Sequence, residues 1–527
     1  MVVQDYKMVE FISLSEVGSK IPDNSSVVIE GFIGSGVAEA VHISVEEYFN
    51  LTNHPQNLTL IHAAGIGDGI DKGMNHYAHE KMVKRIIGGH WAMAPKLFPL
   101  VKENKIEAYN FPQGVISRMM RAASAHDPFV FTQIGLDTFV DPEYDGGKLN
   151  NLATEDLVFK ENIHGNELLL YKTIFPNVAI IRGTYADENG NISFEEEPLT
   201  LEATSEAMAA KNNNGIVIVQ VKDIVPAGYL DPKKVKLPKI LVDYIVKTDT
   251  MEHHMQTYHT GYNSLFLKSS SKNLDVNKNN ANVPLNNRKI IARRCTQFID
   301  KTDKIVNYGI GMPETIAKVL CEENVGDALF PTIEPGTFGG SPLGGLDFGV
   351  SIKPESIIGQ DQMFDFYNGG GIDIAFLGLA ECDENGNINV SRFGNKIAGA
   401  GGFIDITQST NKIIFCGTFT AGGLKTHVKD GKLFIDCEGK FHKFVKDVQH
   451  LTFNGQRAYK MHKSIFYVTE RAVFQLTSDG LTLIEIAPGI NLQSDIINQM
   501  EFIPKISDHL KLMDKKIFID KKMDLQF

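Results

Sequence analysis

The sequence predicts an α/β protein of two similar open domains, each on a largely parallel sheet, joined by a polar linker. Three observations carry this. Short β-rich runs alternate with helical stretches through both halves, as at Ile216 to Val219, Ala375 to Leu377 and Ile413 to Phe415, the pattern of a parallel sheet covered by helices. A degenerate duplication relates the halves: Ala186-Asp187-Glu188-Asn189-Gly190-Asn191-Ile192-Ser193 is echoed by Cys382-Asp383-Glu384-Asn385-Gly386-Asn387-Ile388-Asn389. Between them, Ser269 to Asn287 is rich in Ser, Lys and Asn and has almost no apolar periodicity, as expected of a linker.

At 527 residues the chain exceeds what one core holds, which also calls for two domains. We place them at 1–258 and 291–527, with the linker at 259–290. Taken in order, Val27-Val28-Ile29-Glu30 runs as a strand into Gly31-Phe32-Ile33-Gly34-Ser35-Gly36. Its counterpart is Lys304-Ile305-Val306-Asn307-Tyr308 leading into Gly309-Ile310-Gly311-Met312-Pro313. Pro313 suits a first helical turn, and Ile316, Val319 and Leu320 follow at helical spacing, so this is a βα unit. Tyr467 to Leu476 alternates polar and apolar before Ser478-Asp479-Gly480 and reads as a β-hairpin of the scaffold.

The loop that singles out a chemistry is Thr332-Ile333-Glu334-Pro335-Gly336-Thr337-Phe338-Gly339-Gly340, followed by Pro342-Leu343-Gly344-Gly345. Glycines remove side-chain obstruction and open backbone conformations closed to other residues, so a bulky ligand and amide N–H groups can reach the carboxylate. An isolated Glu-Pro-Gly is an ordinary solvated turn. Here the first half has Ile61-His62-Ala63-Ala64-Gly65, with Ala64 in the glutamate's place, so only one half carries the carboxylate. A structural glutamate gives no reason for that asymmetry, whereas an enzyme with one nucleophile and one supporting half does.

Composition excludes other classes. A formal net charge of -12 argues against a nucleic-acid surface, though a local lysine or helix N-terminus can still hold a small anion. Five cysteines, without a Cys-x-x-Cys pair, do not make a disulfide framework or zinc site. No apolar stretch approaches the roughly 20 residues of a membrane span, and no secretory signal opens the chain. The expected setting is the reduced cytoplasm. His76 to Glu80 and His253-His254 with His259 lack metal-ligand spacing, the Gly417 to Thr426 stretch departs from a P-loop, and neither a dinucleotide fingerprint nor a Gly-x-Ser-x-Gly elbow is present. Cys382 and Cys416 read as small core residues, and Trp91 as packing or pocket entrance.

On these residues the chain resembles the family I coenzyme A transferases, of NagB/RpiA-like fold, and within them the acetate or propionate CoA-transferase group. The resemblance is nearly full length. It includes Gly31-Phe32-Ile33-Gly34-Ser35-Gly36, His79-Glu80, Gly88-Gly89-His90-Trp91, Asn110-Phe111-Pro112-Gln113-Gly114, the Glu334 loop, Phe364 to Gly371, Gly399-Ala400-Gly401-Gly402-Phe403 and Ile484 to Gly489. It departs from the ketoacid-specific relatives, which place their glutamate in Ser-Glu-Asn-Gly where this chain has Ile333-Glu334-Pro335-Gly336.

The resemblance implies that Glu334 is a nucleophile forming a glutamyl-CoA thioester. It also implies an oxyanion hole made by the Gln113 amide and the Gly399 backbone N–H, and close approach of CoA at Gly401; Gly309 and Gly311, entering a helix, are candidates to hold the CoA phosphates or pantetheine. Coenzyme A is then substrate and covalent intermediate; the partners are acyl-CoA and short-chain carboxylates, and no metal or redox cofactor is required. A homodimer or homotetramer is implied. Two other readings remain open at this point: an acyl-CoA hydrolase using the same glutamate, and a non-catalytic acyl-CoA sensor.

Overall fold

The computed structural model describes residues 9–268, 283–394 and 396–527. Most of the Asn-rich stretch assigned to the linker lies outside the described residues. Its described edges are structured. Asn287–Thr296 is a helix whose N-cap Asn286 accepts from the Lys289 N–H, and its first four residues fall within the stretch assigned to the linker. On the other side, Tyr258 is bonded to Glu39 and Thr257 to Asp347.

The first half is built on an eight-stranded sheet in which every neighbouring pair is parallel, in the order Glu10–Phe11, Tyr244–Lys247, Ile216–Val221, Val178–Arg182, Ser26–Ile29, Leu58–His62, Val83–Gly88, Glu107–Asn110. The second half repeats five of these positions. Ser464–Val468, Lys412–Cys416, Ile374–Gly378, Ile305–Tyr308 and Phe330–Ile333 are adjacent and parallel in that order. The central strands are buried on both faces and read as Val-, Ile- and Phe-rich runs, as parallel sheets require, while the edge strand Glu10–Phe11 is exposed. The second sheet then departs from the first. It grows through the antiparallel strands Ala472–Thr477 and Gly480–Ile486, the expected hairpin, and ends at Lys505–Leu512.

The duplicated Asp-Glu-Asn-Gly-Asn motif folds the same way twice. Asp187 Oδ1 accepts from the Asn189 and Asn191 N–H groups at 3.0 and 2.9 Å, and Asp383 Oδ1 from those of Asn385 and Asn387 at 3.0 Å each. The other carboxylate oxygen takes the Asn191 or Asn387 side-chain amide, and Gly190 and Gly386 supply positive φ angles of 94° and 73°. Each motif closes a short antiparallel pair after the sheet strand it follows. The duplication is therefore one of topology and of turn chemistry.

Cys382 and Cys416 are fully buried in the second core, with no disulfide. Among the described residues no helix is long and apolar enough to cross a membrane. Asp187→Ala and Asp383→Ala should each destabilise their half by about 1–2 kcal/mol, because part-buried turn amides lose their acceptor. Thermal melting of the two variants checks this.

Candidate active site

The loops that leave the C-terminal ends of the parallel strands meet between the halves, where open α/β sheets bind ligands. They enclose a cavity of about 210 Å³. Glu334 lies at its wall, one residue past the strand Phe330–Ile333. The turn needs its glycine: Gly336 has φ +115°, and a Cβ there would lie 2.0 Å from the Ile358 carbonyl oxygen.

Glu334 is 8% exposed, and its Oε2 has no hydrogen-bond partner among the described residues. Burial pushes its carboxyl up to about 7, opposed by its own backbone N–H and by the Asn307 side chain. Asn307 stands on the neighbouring strand, its amide near the Thr332 carbonyl and the Tyr367 hydroxyl at 3.4 and 3.3 Å. A carboxylate removed from water and left half unpartnered is a poised group, since perturbed titration concentrates where chemistry is done.

The first half brings Gln113 to the same cavity. Gln113 opens the helix Gln113–Ser124 after Pro112, whose fixed φ suits a helix start. Its backbone N–H donates to Gly401 O at 2.9 Å, and the Gly401 N–H returns to Gly89 O at 2.8 Å. The Trp91 N–H donates to Ala398 O at 2.7 Å, and the Ala400 N–H to Asn110 Oδ1 at 2.9 Å. The glycine loop of one half is thereby stitched into the other. Trp91 itself is fully buried beside His62, so it packs the seam.

Of the glycines the sequence singles out, Gly309, Gly399 and Gly401 line the cavity. Gly311 is not among the lining residues; its N–H donates to Glu314 Oε1 at 2.7 Å across the start of the helix Glu314–Glu322. The Gly399 N–H, expected in an oxyanion hole, donates here to Ser391 O at 2.9 Å. The amide of this loop without an acceptor among the described residues is that of Gly402, which precedes the helix Phe403–Ser409. A Cβ on Gly402 would come within 3.1 Å of Glu334 Cγ, so the loop and the glutamate are in contact.

The remaining lining is largely apolar, with Phe32, Ile33 and Met93 from the first half and Phe348 and Leu377 from the second. His90 and Glu334 are its ionisable residues, and burial lowers His90 to about 4, leaving it neutral. Ile33 has φ +55°, a region where a β-branched residue is strained by about 1–3 kcal/mol. Bonds from Ile33 N to Gly65 O at 2.7 Å and from Gly67 N to Ile33 O at 2.9 Å hold it there.

Of the histidines in the two clusters that lack metal-ligand spacing, His76, His79, His253 and His254 are engaged by carboxylates. His76 bridges Glu39 and Glu46 and is raised to about 9, while His253 pairs with Asp249. Sequence reading gave no role to His90, which lines the cavity, or to Asn307, Gln360 and Asp405, which stand next to Glu334, Gln113 and Gly114. A lone polar residue in an apolar run, as in Ile305-Val306-Asn307 or Phe403-Ile404-Asp405-Ile406, was the available signal.

A parallel-sheet pair with one buried glutamate on a glycine turn, closed by a glutamine and a glycine loop from the opposite half, defines a class of acyl-transferring enzyme. The chain belongs to the coenzyme A transferase family: the Coenzyme A transferase model matches residues 12–248, and full-length relatives share the family name. It is 42% identical over 517 residues to the acetate CoA-transferase YdiF of Escherichia coli strain K12, covering 98% of this chain and 96% of that one. It is 43% identical over 519 residues to the caffeate CoA-transferase of Acetobacterium woodii, covering 98% of each. The crystal structure of the YdiF apoenzyme from Escherichia coli O157:H7 superposes with a TM-score of 0.92 at 40% identity, over 99% of this chain and 98% of that one. The same enzyme has been solved as a thioester complex with CoA, with the same TM-score. This protein is a CoA-transferase.

The raised carboxyl of Glu334 has a thermodynamic sign. The folded state holds the proton to about pH 7 while the unfolded chain releases it near 4.5, so stability falls as pH rises between the two and stays low above. Glu334→Gln should therefore raise the melting temperature at pH 8 by a few degrees and leave it nearly unchanged at pH 5. Calorimetry at both values reads the difference.

Proposed function

We propose that the enzyme moves coenzyme A between short-chain acyl-CoA thioesters and free monocarboxylates such as acetate, by a ping-pong cycle through a glutamyl-CoA thioester at Glu334. The observation that best supports it is the buried carboxylate itself, with one oxygen unpartnered, at a cavity to which Gln113 also contributes. A Glu334 oxygen attacks the thioester carbonyl; the C–S bond breaks, CoA leaves as thiolate and Glu334 becomes a mixed anhydride. The thiolate then attacks the Glu334 carbonyl carbon, the anhydride C–O bond breaks, and the acyl group departs as its carboxylate. An acceptor carboxylate runs both steps in reverse and leaves as the new acyl-CoA. The negative charge of Glu334 leaves with the departing carboxylate in the first half and is restored by the acceptor carboxylate in the second, so the cycle balances with carboxylates and CoA alone.

Each addition places charge on a carbonyl oxygen. The Gln113 amide and the Gly402 N–H are the donors we assign to it; Gly399 serves only if its bond to Ser391 opens. Removing one such donor raises the barrier by about 3 kcal/mol. Gly401 and Gly309 give the thioester arm room at the wall, and the half-exposed Ile310 stands beside Gly309 where the arm would enter. Family resemblance also supports a cytoplasmic homodimer or homotetramer.

The lining supports a choice of acid. It offers apolar contact and no lysine or arginine, so a second carboxylate on the acyl chain would be buried without a partner. Succinate should be a worse acceptor than butyrate by at least about 100-fold in kcat/KM, equivalent to about 2.7 kcal/mol; comparable values would sink this reading of the pocket.

The deciding experiment is chromatography of all CoA species after incubation with butyryl-CoA, with and without acetate. Acetyl-CoA appearing only with acetate, with little free CoA, is the expected result; free CoA accumulating regardless of acetate would make the protein a hydrolase. Glu334→Ala should abolish turnover in the same assay. In the wild type, kcat/KM should rise with pH and level off above about 7, falling about ten-fold per unit below it, as the nucleophile must be ionised. A flat profile from pH 5.5 to 8 would contradict that role for Glu334.

A further inference from the structure

We propose that Glu202, acting through Gln360, positions the Gln113 amide so that it presents N–H and not oxygen to the reacting carbonyl. This deepens the reading of Gln113 as an oxyanion donor and rests on it. A primary amide has a donor end and an acceptor end of nearly equal shape, so a glutamine serves as a donor only if something sets its direction. The wrong end would put a lone pair against the developing negative charge.

The direction is set by a relay of hydrogen bonds that crosses the seam between the halves and returns. Glu202 Oε1 accepts from Gln360 Nε2 at 2.6 Å and also from the Ser117 hydroxyl. Gln360 Nε2 lies 3.2 Å from Ser117 Oγ as well. With its nitrogen committed to Glu202, Gln360 turns its oxygen to Gln113, and Gln113 Nε2 donates to it at 3.1 Å. Turning Gln360 over would set its oxygen 2.6 Å from the carboxylate oxygen, and turning Gln113 over would set two amide oxygens 3.1 Å apart. All four side chains are buried, with Gln360 and Ser117 fully so, and an unmatched polar atom there loses its full solvation. Both bonds to Glu202 end on one oxygen, so a proton on the other leaves the direction unchanged.

The backbone fixes the geometry of the relay. Ser117 lies one helical turn beyond Gln113 on the helix Gln113–Ser124, and Glu202 directly precedes the helix Ala203–Asn212 that packs against it. Gln360 is the first residue of the helix Gln360–Asn368, and its N–H donates to Leu201 O at 3.1 Å, next to Glu202 in the chain. Gln113 Nε2 therefore has one N–H engaged by Gln360 and a second to offer. Glu202 and Gln360 are positioning residues: neither is among the residues that line the reaction cavity.

The test is a double-mutant cycle on the full-length enzyme, with wild type, Glu202→Gln, Gln113→Ala and the double variant compared for loss of butyryl-CoA in the presence of acetate. Glu202→Gln keeps the size of the side chain but replaces the acceptor by an amide that can bond either way. We expect kcat to fall roughly ten-fold, with KM for butyryl-CoA within about two-fold of wild type, a partial loss of what one oxyanion donor contributes. In the Gln113→Ala background the same change should cost less than about two-fold, because the amide it orients is gone. Gln360→Met, which removes the middle of the relay and leaves the carboxylate in place, should give the same split if Glu202→Gln folds poorly. An unchanged kcat in the Glu202 and Gln360 variants, or an equal loss in both backgrounds, overturns the relay. Wild-type enzyme that consumes butyryl-CoA only to free CoA would overturn transfer as the function and leave the relay to be read from the same rates.

Discussion

Gly401 accepts from the backbone of Gln113 and donates to the backbone of Gly89, and those two bonds decide whether this protein has a site. Glu334 and Gln113 belong to different sheets, and neither sheet alone encloses the cavity. The loop from Ala398 to Gly402 reaches across and is received by main-chain groups of Gly89, Trp91 and Gln113 and by the Asn110 side chain, all from the first half. A strand-like pairing of this kind tolerates no side chain in the narrow space, since a Cβ on Gly399 would lie 2.8 Å from Gly89 O. The glycines serve close approach of one backbone to another as much as room for a ligand.

The seam is polar as well as tight. Asp405, in the first turn after the glycine loop, accepts from the Gly114 N–H at 3.1 Å and lies 3.3 Å from the Asn368 amide, and burial raises its carboxyl to about 7. Arg121 on the Gln113 helix pairs with Asp365 at 2.8 Å. A buried contact such as that of Asp405 adds modestly to stability but penalises misalignment, because a displaced partner is left unmatched, whereas the exposed Arg121–Asp365 pair adds little. The buried contacts keep two half-sites in register.

Much of this was legible in the chain. Two α/β halves, the duplicated Asp-Glu-Asn-Gly-Asn turn and the single glutamate facing Ala64 in the other copy could all be read, because each leaves a local pattern. Ala64 and Ile333, which precedes Glu334, belong to one apolar cluster. Gln113 became visible only through the resemblance of its motif. Which N–H in Gly399-Ala400-Gly401-Gly402 is engaged was not legible, since it depends on Ser391 and on Asn110 and Gly89 of the other half. Asn307 and Gln360 are ordinary polar residues until the fold sets them beside Glu334 and Gln113. The helix at Asn287 was hidden because its first residues share the Asn-rich composition of the stretch before it.

Glu334 rests as a carboxyl group in surroundings that disfavour its charge. On the proposed cycle its covalent form is a neutral thioester, which the same surroundings accept without that penalty. Desolvation thus acts on the two states of the enzyme unequally: it lifts the free carboxylate and spares the CoA-bearing form. The waiting state of a ping-pong enzyme is the one most exposed to loss by water, and here the apolar wall that raises the energy of the nucleophile is also the wall that surrounds the intermediate. One feature of the fold, a carboxylate set where charge is unwelcome, would then hasten the first half of the exchange and keep its product for the second.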